Sequence, residues 1–306
     1  RFDQACRASR LPPSLLERLL RYPLLLSPAP LLLSCAWQSP AEYVVAADDG
    51  TPCCLLSYIE GKAADKAIAD GDATAEVVLD AIGHGLGQLH SVAVDESAGL
   101  RPAEMGGACD VRKHLTDEYG EVLVACARVE GHPFFAFYFE QRRLLREAWH
   151  APNLPRGVLH GDPFPDNVLV SPSTGALAGF VDFEDGCVGP LLFDVACACA
   201  AACFGADGSL DRPKLAALLG GYHRARPLTL EERERFGSFM SLALLCNAAW
   251  RFKQFNVDHP EMGESCRESY RELHDRILSL SRGGVSSGIV SSVVSGLPDS
   301  PSVFSI

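Results

Sequence analysis

Three oxygen-bearing side chains stand at a spacing that could do chemistry: Asp162, Asn167 five positions later, and Asp182 fifteen beyond that. The first two belong to His160-Gly161-Asp162-Pro163-Phe164-Pro165-Asp166-Asn167, a run of turn-forming residues between two apolar stretches. Asp182 closes the apolar stretch of GFVDFEDG. A carboxylate on a loop can accept or orient the proton of a hydroxyl group. An amide oxygen and a second carboxylate are hard donors of the kind Mg²⁺ takes. Phosphoryl transfer from a nucleotide to a hydroxyl asks for little more from a protein. Asp and Asn also shape ordinary turns, so one such pair would carry no weight. The agreement of His-Gly-Asp, the five-residue step and a strand-borne Asp182 is what points to chemistry.

Something must bring these residues together, and the surrounding pattern supplies candidates. Residues 157–160, 167–170 and 176–182 read as short strands separated by turns. That places the Asp162 loop between the first two and Asp182 at the end of the third. Upstream, 12–22 reads as a helix, followed by the extended segments LLLSCAW, EYVVAA and CCLLSYI, the last two flanking the turn signal Asp48-Asp49-Gly50. Apolar residues at helical spacing predict helices over 74–90, 111–127 and 133–149. Beyond 190 the pattern is helical throughout, over 190–204, 212–224, 229–255 and 262–281. The Gly/Ser/Val-rich tail 282–306 has no period and is expected to be disordered. The expected layout is therefore α+β: a small, mainly β region over 1–60 and a larger helical region over 61–281 that holds the β insert.

Composition narrows the possibilities. With 306 residues the chain can form two cores. A net charge of −12 and the lack of any Lys/Arg-rich run argue against nucleic acid as a partner. Twelve cysteines in so long a chain do not read as a disulfide scaffold. Cys197, Cys199 and Cys203 fall in DVACACAAACF without zinc-ligand spacing, so buried, reduced thiols are expected, and with them a reducing compartment, cytoplasm or organelle stroma. No apolar run reaches membrane-spanning length, since the leucine-rich 22–37 is broken by Pro23, Pro28 and Pro30. The sequence begins at Arg1, and its natural start, with any transit peptide, is expected upstream.

Kinases use the Asp-x-x-x-x-Asn step with a later metal-binding Asp. The run HGDPFPDNVLV, followed by GFVDFEDGCVGPLLFDVA, resembles the aminoglycoside phosphotransferase superfamily, which shares the protein-kinase architecture. Within it, the FPDN tetrad, Gly189-Pro190 with Phe193-Asp194, and GYHRARPLTLEERERF (221–236) are most similar to homoserine kinases of that fold. The likeness spans about 43–280 and is concentrated in 158–204. It implies a two-lobed fold with a helical C-lobe and the use of ATP and Mg²⁺ on a small-molecule hydroxyl acceptor. It further implies Asp162 as base, His160 as a brace of the catalytic loop, Asn167 and Asp182 as metal ligands, and Asp194 as a buried tie between a helix start and that loop. An ordinary helix-terminal Asp is an equal reading of Asp194. CCLLSYIEG is similar to the family's interlobe hinge, where backbone groups of Leu56, Ser57, Tyr58 and Ile59 would meet adenine. A plain core strand remains the alternative there. Choline, ethanolamine, hydroxylysine or an aminoglycoside are the other acceptors the resemblance allows.

Other residues carry blander readings. Glu184 and Asp185 fit a solvated acidic loop or an ammonium site. Trp250, Arg251 and Lys253 read as a core Trp with snorkelling cations. His90 reads as a helix C-terminal residue. The sequence departs from the family in one respect: the first Gly is Gly50 and the first Lys is Lys62, so no glycine-rich loop or phosphate-binding lysine precedes the hinge. The small lobe is therefore expected to be incomplete, with its first strands encoded upstream. The competing reading is a non-catalytic pseudokinase.

Overall fold

The computed structural model describes residues 44–46, 52–54, 58–92, 113–115, 117–183, 185–283 and 292–293. The chain divides into two compact units, 1–60 with 95–99 and 61–94 with 100–306. The helix read over 12–22, the segment LLLSCAW and most of the 282–306 tail lie outside the described residues.

In the first unit, β1 (Val44–Ala46) and β2 (Pro52–Cys54) pair antiparallel, with Val44 opposite Cys54 and Ala46 opposite Pro52. The turn signal Asp48-Asp49-Gly50 falls between them in sequence, outside the described residues.

The second unit opens with β3 (Lys62–Ala63) and α1 (Ala64–Ala69), neither of which the sequence pattern announces. Next comes α2 (Ala75–Leu89), started by Thr74, whose hydroxyl accepts the Val77 N–H. The expected 111–127 helix is shorter: a 3₁₀ turn at Lys113–Leu115 leads into α3 (Asp117–Ala125). α4 (Phe134–Trp149) follows as the spacing predicts. The β insert consists of β4 (Arg156–Leu159), β5 (Val168–Val170), β6 (Leu177–Phe180) and β7 (Cys187–Pro190). β3, β5 and β6 form one antiparallel sheet and β4 with β7 another.

Helices complete the unit: α5 (Leu192–Ala202), α6 (Arg212–Ala225), α7 (Leu230–Phe252), a π-helical turn at Lys253–Asp258, the short α8 (Glu264–Arg267) and α9 (Tyr270–Gly283). An isolated bridge between Phe204 and Leu210 interrupts this otherwise helical stretch. Among the described residues no helix is long and apolar enough to cross a membrane.

The core explains these placements. Residues 192–200 of α5 are buried all round, as a helix of Leu, Phe, Val, Ala and Cys must be. Cys197 and Cys199 are buried within it, and Cys203, at its C-terminal cap, is buried too. α2 and α6 pack backbone to backbone. A Cβ on Gly83 would lie 2.0 Å from the Leu218 carbonyl oxygen, and one on Gly221 would lie 2.0 Å from that of Asp80. Only glycine permits so close a crossing, and it sets the end of α2 beside α6.

Candidate active site

The 15-residue gap between Asn167 and Asp182 closes through a hairpin. β5 and β6 pair Val168 with Phe180, and one step further the Val181 N–H donates to the Asn167 carbonyl at 3.0 Å. Asn167 ends a 3₁₀ turn begun by Pro165. Its amide Nδ2 donates both to the Asp162 carbonyl (3.0 Å) and to Asp162 Oδ2 (3.1 Å). Those bonds fix the Asp162 carboxylate and commit the amide nitrogen, leaving the Asn167 carbonyl oxygen as its acceptor end. Asp162 and Asn167 are half-buried and Asp182 is exposed.

His160 ties the loop to the segment just past β6 that leads into Asp182. Its Nδ1 accepts the Asp162 N–H at 3.3 Å, so the ring proton sits on Nε2 and goes to the Val181 carbonyl at 2.8 Å. The Phe183 ring lies against this imidazole, centroids 4.3 Å apart, although Phe183 is 39% exposed. Asp182 itself adopts φ 64°, a left-handed conformation that Asp and Asn accept more readily than most side chains. Gly161 has φ 89°, and a Cβ there would fall 2.1 Å from the Asp185 carbonyl oxygen. The Asp162 loop and the loop after Asp182 thus touch at a point where only glycine fits.

Asp194, in the first turn of α5, is fully buried. Its Oδ2 accepts the His160 N–H at 2.6 Å and its Oδ1 the Gly161 N–H at 3.0 Å, with His90 Nε2 a further 3.2 Å from Oδ2. Burial by itself would push this carboxyl up. The hydrogen bonds from His90 and from the His160 backbone outweigh it and hold the group below the usual carboxylate range. A depressed folded-state value stabilises the fold above the unfolded value of about 3.9, and that contribution is lost as pH falls through the folded-state value. Asp194→Asn should therefore cost about 2–4 kcal/mol near neutral pH. Urea midpoints measured from pH 7 down to pH 3 should show the gap to the parent narrowing with acid. A gap independent of pH would mean the charge is not what the site uses.

The remaining sequence candidates fall elsewhere. Leu56, Ser57 and Glu184 lie outside the described residues, Tyr58 is 89% exposed and Ile59 is half-buried. Trp250 is 43% exposed and meets Phe255, so the core-Trp reading fails: on α7 it faces outward. Arg251 donates to the Ser269 carbonyl and Lys253 to Asp258. Sequence reasoning missed His90's reach to Asp194, 104 residues away, because nothing local in either segment signals it.

The donor set suits a hard cation. Asn167 offers an amide oxygen and Asp182 a carboxylate from adjacent hairpin ends. Mg²⁺ is commonly held by one or two such groups plus substrate phosphates. Among the described residues no group of three His, Cys, Asp or Glu side chains forms a cluster fit for a metal.

Comparison with known proteins defines the class first. The chain covers 78% of a choline/ethanolamine kinase family protein from Mesorhizobium loti, over 83% of its own length, with a TM-score of 0.55 at 18% identity. The fold is thus the α+β, protein-kinase-like one that the sequence resemblance implies. Residues 18–228 match the phosphotransferase enzyme family, and the chain belongs to that family. It is 30% identical over 235 residues to a homoserine kinase from Methylobacillus flagellatus, covering 75% of this chain and 65% of that protein. It is 42% identical over 160 residues to a homoserine kinase from Gluconacetobacter diazotrophicus, covering 51% of this chain and 48% of that protein. The chain therefore spans about half to two thirds of the length of these relatives.

Proposed function

We propose that this protein transfers the γ-phosphoryl group of ATP to the hydroxyl of a small molecule, homoserine being the acceptor. The observation that carries this reading is the Asp162 carboxylate pinned by Asn167, with Asn167 joined across the hairpin to Val181, next to Asp182. Similarity to homoserine kinases supports the choice of acceptor.

In this reading Asp162 takes the acceptor's hydroxyl proton as the oxygen attacks the γ-phosphorus and ADP leaves. Asn167 Oδ1 and the Asp182 carboxylate would hold Mg²⁺, which would neutralise charge on the phosphates. His160 keeps the two loops in register, and Asp194 holds the His160 and Gly161 amides from below. Backbone groups of Leu56, Ser57, Tyr58 and Ile59 are the proposed adenine contacts. The chemistry is mostly positioning, so fixed hydrogen bonds around Asp162 matter more than any reactive side chain.

A second reading, nucleotide binding without transfer, has one observation on its side. Lys62, the first lysine in the sequence, is engaged by Asp70 and Asp72 at 2.5 and 2.6 Å. A rate screen with Mg²⁺-ATP against L-homoserine, choline, ethanolamine, hydroxylysine and an aminoglycoside decides between the two. The proposal expects L-homoserine to give the highest kcat/KM. Consumption of another acceptor would replace homoserine, and nucleotide binding with no acceptor consumed would favour the second reading.

A further inference from the structure

Behind the candidate loop runs a line of polar side chains that the proposed chemistry does not use. Arg226, just past the end of α6, donates Nη1 to the Tyr222 hydroxyl at 2.8 Å and to Glu232 Oε1 at 2.9 Å. Glu232 is fully buried, and its Oε2 accepts the Thr229 N–H at 2.8 Å. The Thr229 hydroxyl accepts the Glu232 N–H in return, which caps the start of α7. On the other side, the Tyr222 oxygen lies 2.9 Å from His90 Nδ1, and His90 Nε2 faces Asp194.

The donor directions follow from the chemistry of the groups. A guanidinium can only donate, so the Tyr222 oxygen accepts from Arg226 and its own proton goes to His90 Nδ1. Burial pushes the Tyr222 phenol up, which keeps that proton in place. His90 then carries its hydrogen on Nε2 and donates it to Asp194, whose ionised carboxylate only accepts. Each side chain settles the orientation of the next, from the cap of α7 to the backbone of His160 and Gly161.

We propose that Tyr222 and Arg226 are positioning residues for the Asp162 loop, acting by fixing the tautomer of His90. With the Nδ1–H tautomer, the lone pair of Nε2 would face Asp194 Oδ2. The attraction would become a repulsion, and the carboxylate would have to move from the amides of His160 and Gly161. A catalytic group displaced by about 1 Å can lose on the order of a hundredfold in rate. The inference rests on the kinase reading only where it concerns turnover.

The test uses the full chain with ¹⁵N-labelled histidine. In the parent protein His90 should show a protonated Nε2 and an unprotonated Nδ1, a result that needs no variant to fold. Tyr222→Phe keeps the ring and removes the hydroxyl. It should leave His90 without that single tautomer and speed amide exchange at His160 and Gly161 by about tenfold or more. Turnover should fall by about ten- to a hundredfold with nucleotide KM unchanged. Arg226→Met should behave alike, while Arg226→Lys, still a donor, should restore most of the effect. An Nδ1–H tautomer in the parent, or a Tyr222→Phe protein with unaltered tautomer and amide exchange, would overturn the proposal. If tautomer and exchange respond as expected in a chain that transfers no phosphate, the positioning relay stands and the kinase reading falls.

Discussion

Asp162→Asn should lower turnover by about two to four orders of magnitude, the range expected when a positioned base is lost. The substitution is unusually clean at this site. Asn167 Nδ2 donates to Asp162 Oδ2, and an asparagine at position 162 would still present a carbonyl oxygen to accept that bond. The Asp162 N–H to His160 Nδ1 bond is made by the backbone and is untouched. Loop geometry and nucleotide affinity should therefore persist while the capacity to take a proton disappears. Steady-state kinetics beside nucleotide titration separates the two. Near-normal turnover in a folded variant would remove Asp162 from the mechanism.

Asp182→Asn should raise the Mg²⁺ concentration needed for nucleotide binding by about 10–100-fold, since it exchanges the proposed anionic ligand for a neutral amide oxygen. Asn is the informative replacement because position 182 sits at φ 64°, where alanine would add backbone strain to the loss of charge. The carboxylate is exposed and no core partner, so thermal stability should barely change. Titrating Mg²⁺ against a bound nucleotide analogue measures the shift directly. An unaltered Mg²⁺ dependence would assign the metal to another residue.

What the sequence disclosed and what it hid divide along physical lines. Helices with a regular apolar stripe were legible: the spacing over 74–90 and 133–149 matches α2 and α4 to within a residue or two. The hydrophilic run from His160 to Asn167 stood out because its Asp, Asn and Pro residues break an otherwise apolar pattern. Short elements escaped. β3 has two residues and β7 is Cys-Val-Gly-Pro, too brief and too rich in Gly and Pro to read as strands before their partners are known. Pairing, which no periodicity encodes, created the junction at Asn167 and Val181. The relay from Glu232 to Asp194 was hidden for the same reason. Its members are scattered over positions 90 to 232, and the glycine crossing at Gly83 and Gly221 brings α2 and α6 together. Trp250 misled because its neighbours on α7 are apolar while its own position faces solvent.

The most direct test of the central claim follows the phosphorus atom. Parent protein and Asp162→Asn would each be incubated with Mg²⁺-ATP and L-homoserine and followed by ³¹P NMR. The account predicts that in the parent the γ-phosphate resonance of ATP gives way to a phosphomonoester coupled to the acceptor's CH₂ protons. ADP should appear in equal amount, and the variant should show almost none of this on the same timescale. A parent protein that leaves ATP intact, or that yields only inorganic phosphate, would contradict it.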